Sequence, residues 1–232
     1  MMKIAKKETG SVALTMLLFA ALTVNGFSQK IEFGVHADPL ITWMSSNSEA
    51  YNSEGTVPGF SLGLDVYYPL DERFSVSSGI GLLSSGGRQS AVEDHTMVFN
   101  NIDTVVIAGE EMKYSLRYLN IPGGVRAHTN RDEGLNFFGD LGIDLRLLLR
   151  SKVDIPSLQI SDEIAQNEVF AMNMGWHING GIEYELGTNL SFLAGIGYDA
   201  DFFDVTEDLE NADQPDDRSK IRMIRIRFGL KF

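Results

Sequence analysis

Four histidines, His36, His95, His128 and His177, together with carboxylates and arginines set at every second position, are the residues of this chain that could do chemistry. A metal centre would need close-spaced imidazole, thiolate or carboxylate ligands, and a hydrolytic site would need a serine activated by a neighbouring base. No close-spaced ligand pair occurs, and no serine stands in a recognisable nucleophile setting. Ser84, Ser85, Ser90 and His95 lie near the end of one segment, where a membrane-embedded lipid-modifying enzyme would hold its nucleophile or base. Their spacing does not separate them from ordinary polar loop residues. No cysteine is present, which removes thiol catalysis, disulfides and a lipid-modified amino-terminal cysteine. The expectation is a chain with no catalytic residue, no metal site and no cofactor.

The charged candidates are Asp65, Arg126, Asp140, Asp144, Arg146, Glu183, Glu185, Arg225 and Arg227, joined by Glu32, Asp38 and Asp199. They are read as one group because each falls on the polar side of a segment that alternates polar and apolar residues, the period of a β-strand with two different faces. Eight such segments occur. They run from Ile31 to about Trp43, Val57–Tyr68, Arg73–Gly86, Lys113–Thr129, Leu135 to about Arg150, Val169–Leu186, Leu190–Val205 and Ile221–Phe232. The fifth shows the pattern most fully, with Leu135, Phe137, Leu141, Ile143, Leu145, Leu147 and Leu149 against Asn136, Asp140, Asp144, Arg146 and Arg150. In the eighth, Ile224, Ile226, Phe228, Leu230 and Phe232 alternate with Arg225, Arg227, Gly229 and Lys231.

Short turn-like links at Pro69–Glu72, Asn130–Gly134 and Gly187–Asn189 take turns with long polar stretches at about 44–56, 87–112, 151–168 and 206–219. Short turns on one side and long loops on the other are the arrangement of bacterial outer-membrane barrels. The expected fold is therefore all-β: an eight-stranded antiparallel up-and-down transmembrane β-barrel, with apolar faces toward lipid and charged faces toward the lumen. A soluble up-and-down barrel would reverse the two faces. Aromatic residues near the segment ends, such as Tyr68, Phe74, Tyr184 and Phe232, favour the membrane form. Eight strands leave an interior just wide enough for side chains to fill it. The lumen charges are thus expected to pair and plug it, with Arg225 and Arg227 meeting carboxylates such as Asp140, Asp144 or Glu183. Phe228, Leu230 and Phe232 are read as a barrel-assembly signal.

Residues 1–28 have the form of a secretory signal peptide: Lys3, Lys6 and Lys7, an apolar run from Val12 to Val24, and Gly26-Phe27-Ser28 at the cleavage point. The apolar run, at about 13 residues, is short of the roughly 20 that span a bilayer as a helix. Residues 29–232 would form the barrel domain, exported to the outer membrane with both mature ends in the periplasm. The net charge of −13 opposes binding to nucleic acid, which needs a basic surface. The expected surroundings are outer-membrane lipid and lipopolysaccharide, with other envelope or secretion proteins as partners. Acidic stretches in two loops, Glu93, Asp94, Asp103, Glu110 and Glu111 in one and Glu207, Asp208, Glu210, Asp213, Asp216 and Asp217 in the other, could hold divalent cations against anionic headgroups. Solvation alone is the simpler reading of such clusters. In the first of these loops, Met97-Val98-Phe99 and Val105-Val106-Ile107 would either pair as a projecting β-ribbon or pack onto the barrel rim.

Tyr118-Leu119-Asn120-Ile121-Pro122, Phe138-Gly139-Asp140-Leu141-Gly142 and Arg227-Phe228-Gly229-Leu230-Lys231-Phe232 resemble stretches of the PorT-like outer-membrane β-barrel proteins of Bacteroidetes. Gly123-Gly124 depart from the larger apolar residues common there. The resemblance spans the mature chain and implies a porin-like barrel; one branch of that family is linked to secretion of proteins with a carboxyl-terminal sorting domain.

Overall fold

Alternating faces on successive segments can be satisfied together only if neighbouring strands pair and the sheet closes on itself, since an open edge cannot persist in lipid. The computed structural model describes residues 31–46, 51–98, 103–129, 134–187, 189–206 and 218–232, all within one compact unit, Ile31–Phe232. The proposed signal peptide and the acidic stretch 207–217 lie outside the described residues.

The strands are β1 (Glu32–Ser46), β2 (Tyr51–Pro69), β3 (Phe74–Ala91), β4 (His95–Val98), β5 (Asp103–Val106), β6 (Glu111–His128), β7 (Leu135–Ile155), β8 (Ile160–Ile164), β9 (Met172–Gly187), β10 (Leu190–Asp201) and β11 (Ser219–Lys231). Eight of them make the barrel. Each pairs antiparallel with its sequence neighbours in the order β1-β2-β3-β6-β7-β9-β10-β11, and β11 closes on β1. The closure includes reciprocal backbone bonds between Phe33 and Phe232, 2.9 and 2.8 Å long. β4 and β5 form a separate ribbon, and β8 adds to the upper part of β7.

The β2–β3 turn shows why the short links are tight. The Asp71 carboxylate accepts the backbone N–H groups of Arg73 and Phe74 at 2.7 and 2.8 Å, the Asx-turn device by which aspartate imitates a backbone turn. These two bonds hold the Asp71 carboxyl below its ordinary value.

β1, β2 and β7 run further into the loop side than their apolar pattern indicates, whereas β9 and β10 stop at Met172 and Asp201, short of the expected Val169 and Val205. β1 and β2 continue to Ser46 and from Tyr51, and β7 continues to Ile155. The cause is an inversion of polarity partway up the wall. On β6 the turn-side stretch points Leu119, Ile121 and Val125 outward and Asn120 and Arg126 inward; the loop-side stretch points Lys113, Ser115 and Arg117 outward and buries Met112, Tyr114, Leu116 and Tyr118. On β11 the same switch sets Ile224 to Leu230 outside Arg225 and Arg227, then Arg222 and Lys220 outside Met223 and Ile221. The turn-side part is thus a lipid-facing barrel, with Leu141 60% and Ile196 63% exposed on its outer wall. Apolar exposure on that scale is foreign to a soluble surface and removes the soluble-barrel alternative. The loop-side end is built as a soluble barrel would be. Near the boundary Trp43, Tyr198 and Trp176 lie side by side, ring centroids 6.3 and 5.6 Å apart, as in an interfacial girdle.

Two irregularities shape the loop side. At Gly55, with φ of 129°, and again before Phe60, the β2–β3 pairing shifts. The freed backbone of Gly86 is met there by the Thr42 hydroxyl, which donates to the Gly86 carbonyl at 2.9 Å and accepts its N–H at 3.1 Å. A Cβ on Gly86 would lie 2.0 Å from the Tyr114 carbonyl oxygen, so only glycine fits. On β7 the second irregularity, a bulge, inserts one residue: Tyr118 faces Leu148, but Arg117 faces Arg150. Past it, Ser151, Val153 and Ile155 turn inward, and Arg150 is exposed on the outside rather than aligned with Asp140, Asp144 and Arg146 as the alternation suggested.

Candidate functional site

Among the described residues, buried ionisable side chains converge in the lumen, and strand order decides which of them meet. β11 lies between β1 and β10, so its arginines meet Asp38 and Asp199. Arg225 donates to Asp38 at 2.8 Å and, from Nε and Nη2, to the two Asp199 oxygens at 3.1 and 3.2 Å. Arg227 donates to Asp38 at 3.4 Å, and the Phe228 N–H adds a bond to the other Asp38 oxygen at 3.3 Å. The expected partners Asp140, Asp144 and Glu183 are therefore not those that Arg225 and Arg227 bond, because β7 and β9 do not adjoin β11 in the ring.

Asp140 and Asp144 are served from their own neighbours. Arg126 on β6 donates to Asp140 at 3.2 Å, and its guanidinium lies between the rings of Tyr67 and Phe138, 4.3 and 4.4 Å from their centroids. Stacking of this kind suits the weakly hydrated guanidinium plane. His177 on β9 bridges the two carboxylates, Nδ1 to Asp144 at 2.8 Å and Nε2 to Asp140 at 2.9 Å. Only the doubly protonated ring has a donor for each. Asn120 completes Asp144 at 3.0 Å. Arg146 bonds Asp201, whose second oxygen accepts the Ile221 N–H at 3.1 Å, and Arg146 lies 3.9 Å from Asp144. Glu183 pairs with Lys231 at 2.6 Å, and Lys231 reaches Glu32 at 3.0 Å; Glu185 is half-buried near the turn-side mouth.

Asp201, Lys231 and Phe138 do not stand among the lumen candidates read from the sequence, although all three sit at the inward parity of their strands. Parity was signal enough for them. The distribution of partners around the ring was not legible without closure.

A further group joins three residues of β1 and β2. His36 Nδ1 lies 2.9 Å from Asp65, and its Nε2 lies 3.5 Å from Ser61 Oγ, in the order serine, histidine, aspartate. Tyr67 also donates to Asp65 at 3.2 Å, and Asp38 stands 3.8 Å from the same His36 Nε2. The cavity beside this group holds about 30 Å³ and is lined by polar side chains, room for ordered water and not for an acyl substrate. Ligand atoms of Asp144, His177 and Asp199 fall within 4.8 Å of one another. Both His177 nitrogens are spent on carboxylates, however, and Asp199 is bound to Arg225, so no lone pair is directed at a shared centre.

Above the ionic half the lumen is filled mainly by hydrocarbon, with Ser85, Ser151 and a Gln89–Ser219 hydrogen bond buried among it. Leu40, Met44, Leu83, Leu116, Ile221 and Met223 form a buried cluster, continued upward by Met112, Val153 and Ile155. The ribbon expected from the two apolar islands forms, and it also packs on the rim: Met97 of β4 and Val106 of β5 are buried in the same cluster. Acidic groups in this loop are engaged locally. Asp94 accepts the Ala108 N–H at 2.8 Å, Glu110 the Ile107 N–H at 3.0 Å, and Glu111 pairs with Arg88 at 3.2 Å. Ser90 donates to Glu54 at 2.5 Å, and the His95 side chain lies outside the described residues. Phe228, Leu230 and Phe232 lie exposed on the outer wall.

The sequence matches the model of the family described as outer membrane protein beta-barrel domain over residues 19–207. No curated protein matches it. Among solved structures it is similar to the Neisserial surface protein A (14% identity, 86% of this chain and 95% of that one, TM-score 0.47). It is also similar to OprG of Pseudomonas aeruginosa (13%, 88% and 97%, 0.42) and to the outer membrane protease OmpT of Escherichia coli (7%, 90% and 99%, 0.44). Family match and closed eight-stranded architecture agree: the chain belongs to the outer membrane protein β-barrel domain family and is a protein of the bacterial outer membrane.

Proposed function

We propose that this barrel is a non-enzymatic outer-membrane protein that acts as a structural or interaction element through its loop side and passes no solute. The observation that carries this reading is the double filling of the lumen, an ion-paired half below and an apolar half above, capped by the β4–β5 ribbon. A pore would need a continuous polar path, and the apolar half interrupts it. In planar bilayers the purified barrel is expected to give no stable ion-sized openings; a steady single-channel conductance would replace this reading with that of a small porin. The Ser61–His36–Asp65 order favours a second reading, a hydrolase acting on lipid or ester. Labelling of Ser61 by a fluorophosphonate, lost in Ser61→Ala, would establish it, and the enclosed geometry leads us to expect no labelling.

The finer assignments rest on the sequence. The leader at residues 1–28 is cleaved after Ser28, the short turns face the periplasm with both mature ends, and the long loops face outward among lipopolysaccharide. The motifs on β6, β7 and β11 support a barrel of the PorT-like kind. Secretion or other envelope proteins are then the partners to seek by co-purification in mild detergent.

A further inference from the structure

Arg117 and Arg150 stand directly opposite each other on β6 and β7, both exposed on the outer wall. Like charges facing each other across a strand pair repel, so the arrangement is unfavourable unless an anion lies between them. On β3, β6 and β7 every other described outward basic residue has its own acid: Arg88 has Glu111, Lys113 has Asp154 and Lys152 has Asp162. Among the described residues neither Arg117 nor Arg150 has a hydrogen-bond or ion-pair partner. Asp162, the acid on which Arg150 acts at longer range, is already committed to Lys152, whose ammonium holds its carboxyl below the ordinary value.

The bulge on β7 is the second observation. Unbroken alternation would send Arg150 into the lumen, where arginine has carboxylates to meet; the inserted residue brings it outside instead, beside Arg117. Bulges re-aim side chains in this way, often beside functional sites. The third is height. On both strands this pair marks the step from apolar to polar outward residues, with Leu119 and Leu149 just below and Ser115 and Lys152 just above. The fourth is the wall beneath. An apolar groove bounded by Leu62, Leu64, Ile80, Leu82 and Leu119 begins one pleat below Arg117.

We infer that Arg117 and Arg150 form a clamp for the phosphate headgroup of an outer-leaflet lipid whose acyl chain lies along the groove. Two guanidinium forks suit a phosphate monoester, which offers three oxygens and nearly two negative charges. The groove selects a lipid over free phosphate. The inference rests on the barrel spanning the outer membrane with its long loops outward.

The test titrates the intact barrel in mild detergent with diphosphoryl lipid A and counts bound lipid by native mass spectrometry. The Arg117→Gln/Arg150→Gln variant should bind about tenfold or more weakly, the loss expected for charge-assisted bonds to a phosphate. Arg88→Gln, which removes a paired arginine higher on the wall, should leave binding unchanged. Equal binding by the double variant overturns the inference, as does displacement of the lipid by millimolar inorganic phosphate. A double variant that still shifts on unheated gels is folded, so its loss of lipid reports on the clamp. A wild-type chain that failed to shift and stayed in the soluble fraction would instead overturn the membrane reading itself.

Discussion

Asp38 holds together more of the lumen than any neighbouring residue. Fully buried, it receives Arg225, Arg227 and the Phe228 N–H, and it stands within reach of His36. Removing one partner of a buried ion pair leaves a charge without compensation, at a cost of about 3–5 kcal/mol. Asp38→Ala is expected to lose that much in urea unfolding from lipid vesicles, and Arg227→Gln less, since Arg225 keeps Asp38 engaged. The turn carboxylate Asp71 behaves differently because it is exposed. Its folded pKa lies below the ordinary 3.8, so its contribution is present above that value and fades as pH falls through the lowered one. Amide exchange at Arg73 and Phe74, taken relative to its intrinsic rate at each pH, should accelerate only below the ordinary value of 3.8 for the native chain. In Asp71→Ala it should already be fast at neutral pH. At this scale the inward set was legible from parity, including Asp38, Arg126 and His177. Arg150 was not, because one inserted residue reverses parity and nothing in the local residue types announces it.

Among the elements, β6 carries the polarity inversion most openly, and its consequences are energetic. Leu116 is fully buried in the loop-side cluster, where truncation leaves a cavity, so Leu116→Ala should cost about 2–5 kcal/mol. Leu141, on the lipid-facing wall, leaves a gap that acyl chains can fill, and Leu141→Ala should cost much less in the same unfolding assay. Strand number and the placement of turns were readable because the turn-side stretches keep one rule throughout, apolar out and polar in. The upper ends of β1, β2 and β7 escaped because past the boundary the rule is reversed. Residues such as Lys152 and Asp154 then look like loop, although they are the outer face of a strand whose inner face holds Val153 and Ile155. The β4–β5 ribbon was half legible: pairing of its two islands followed from their residue types, but their burial in the barrel mouth depended on the mouth being apolar.

For the whole molecule, closure is the cooperative event. β11 contributes Arg225, Arg227 and Lys231 to the interior and pairs along its length with β1 and β10, ending in the Phe33–Phe232 exchange. Deleting Phe232 removes both of those bonds and one of the exposed aromatics of the outer wall. The expected outcome is slower accumulation of the heat-modifiable form in pulse-chase gels, and a truncated chain that assembles at the native rate would deny the residue an assembly role.

The inverted upper wall changes what an approaching molecule encounters. From Arg150 to Ile155 the wall of β7 continues for about 17 Å at strand rise, or about 12 Å along the membrane normal for a strand tilted near 45°. This is more than the depth of a headgroup layer. The rim is therefore stiff sheet carried clear of the bilayer, with a solid core behind it. Little conformational entropy remains there to be lost on association, so a surface of modest area can bind with useful affinity and without first displacing lipid.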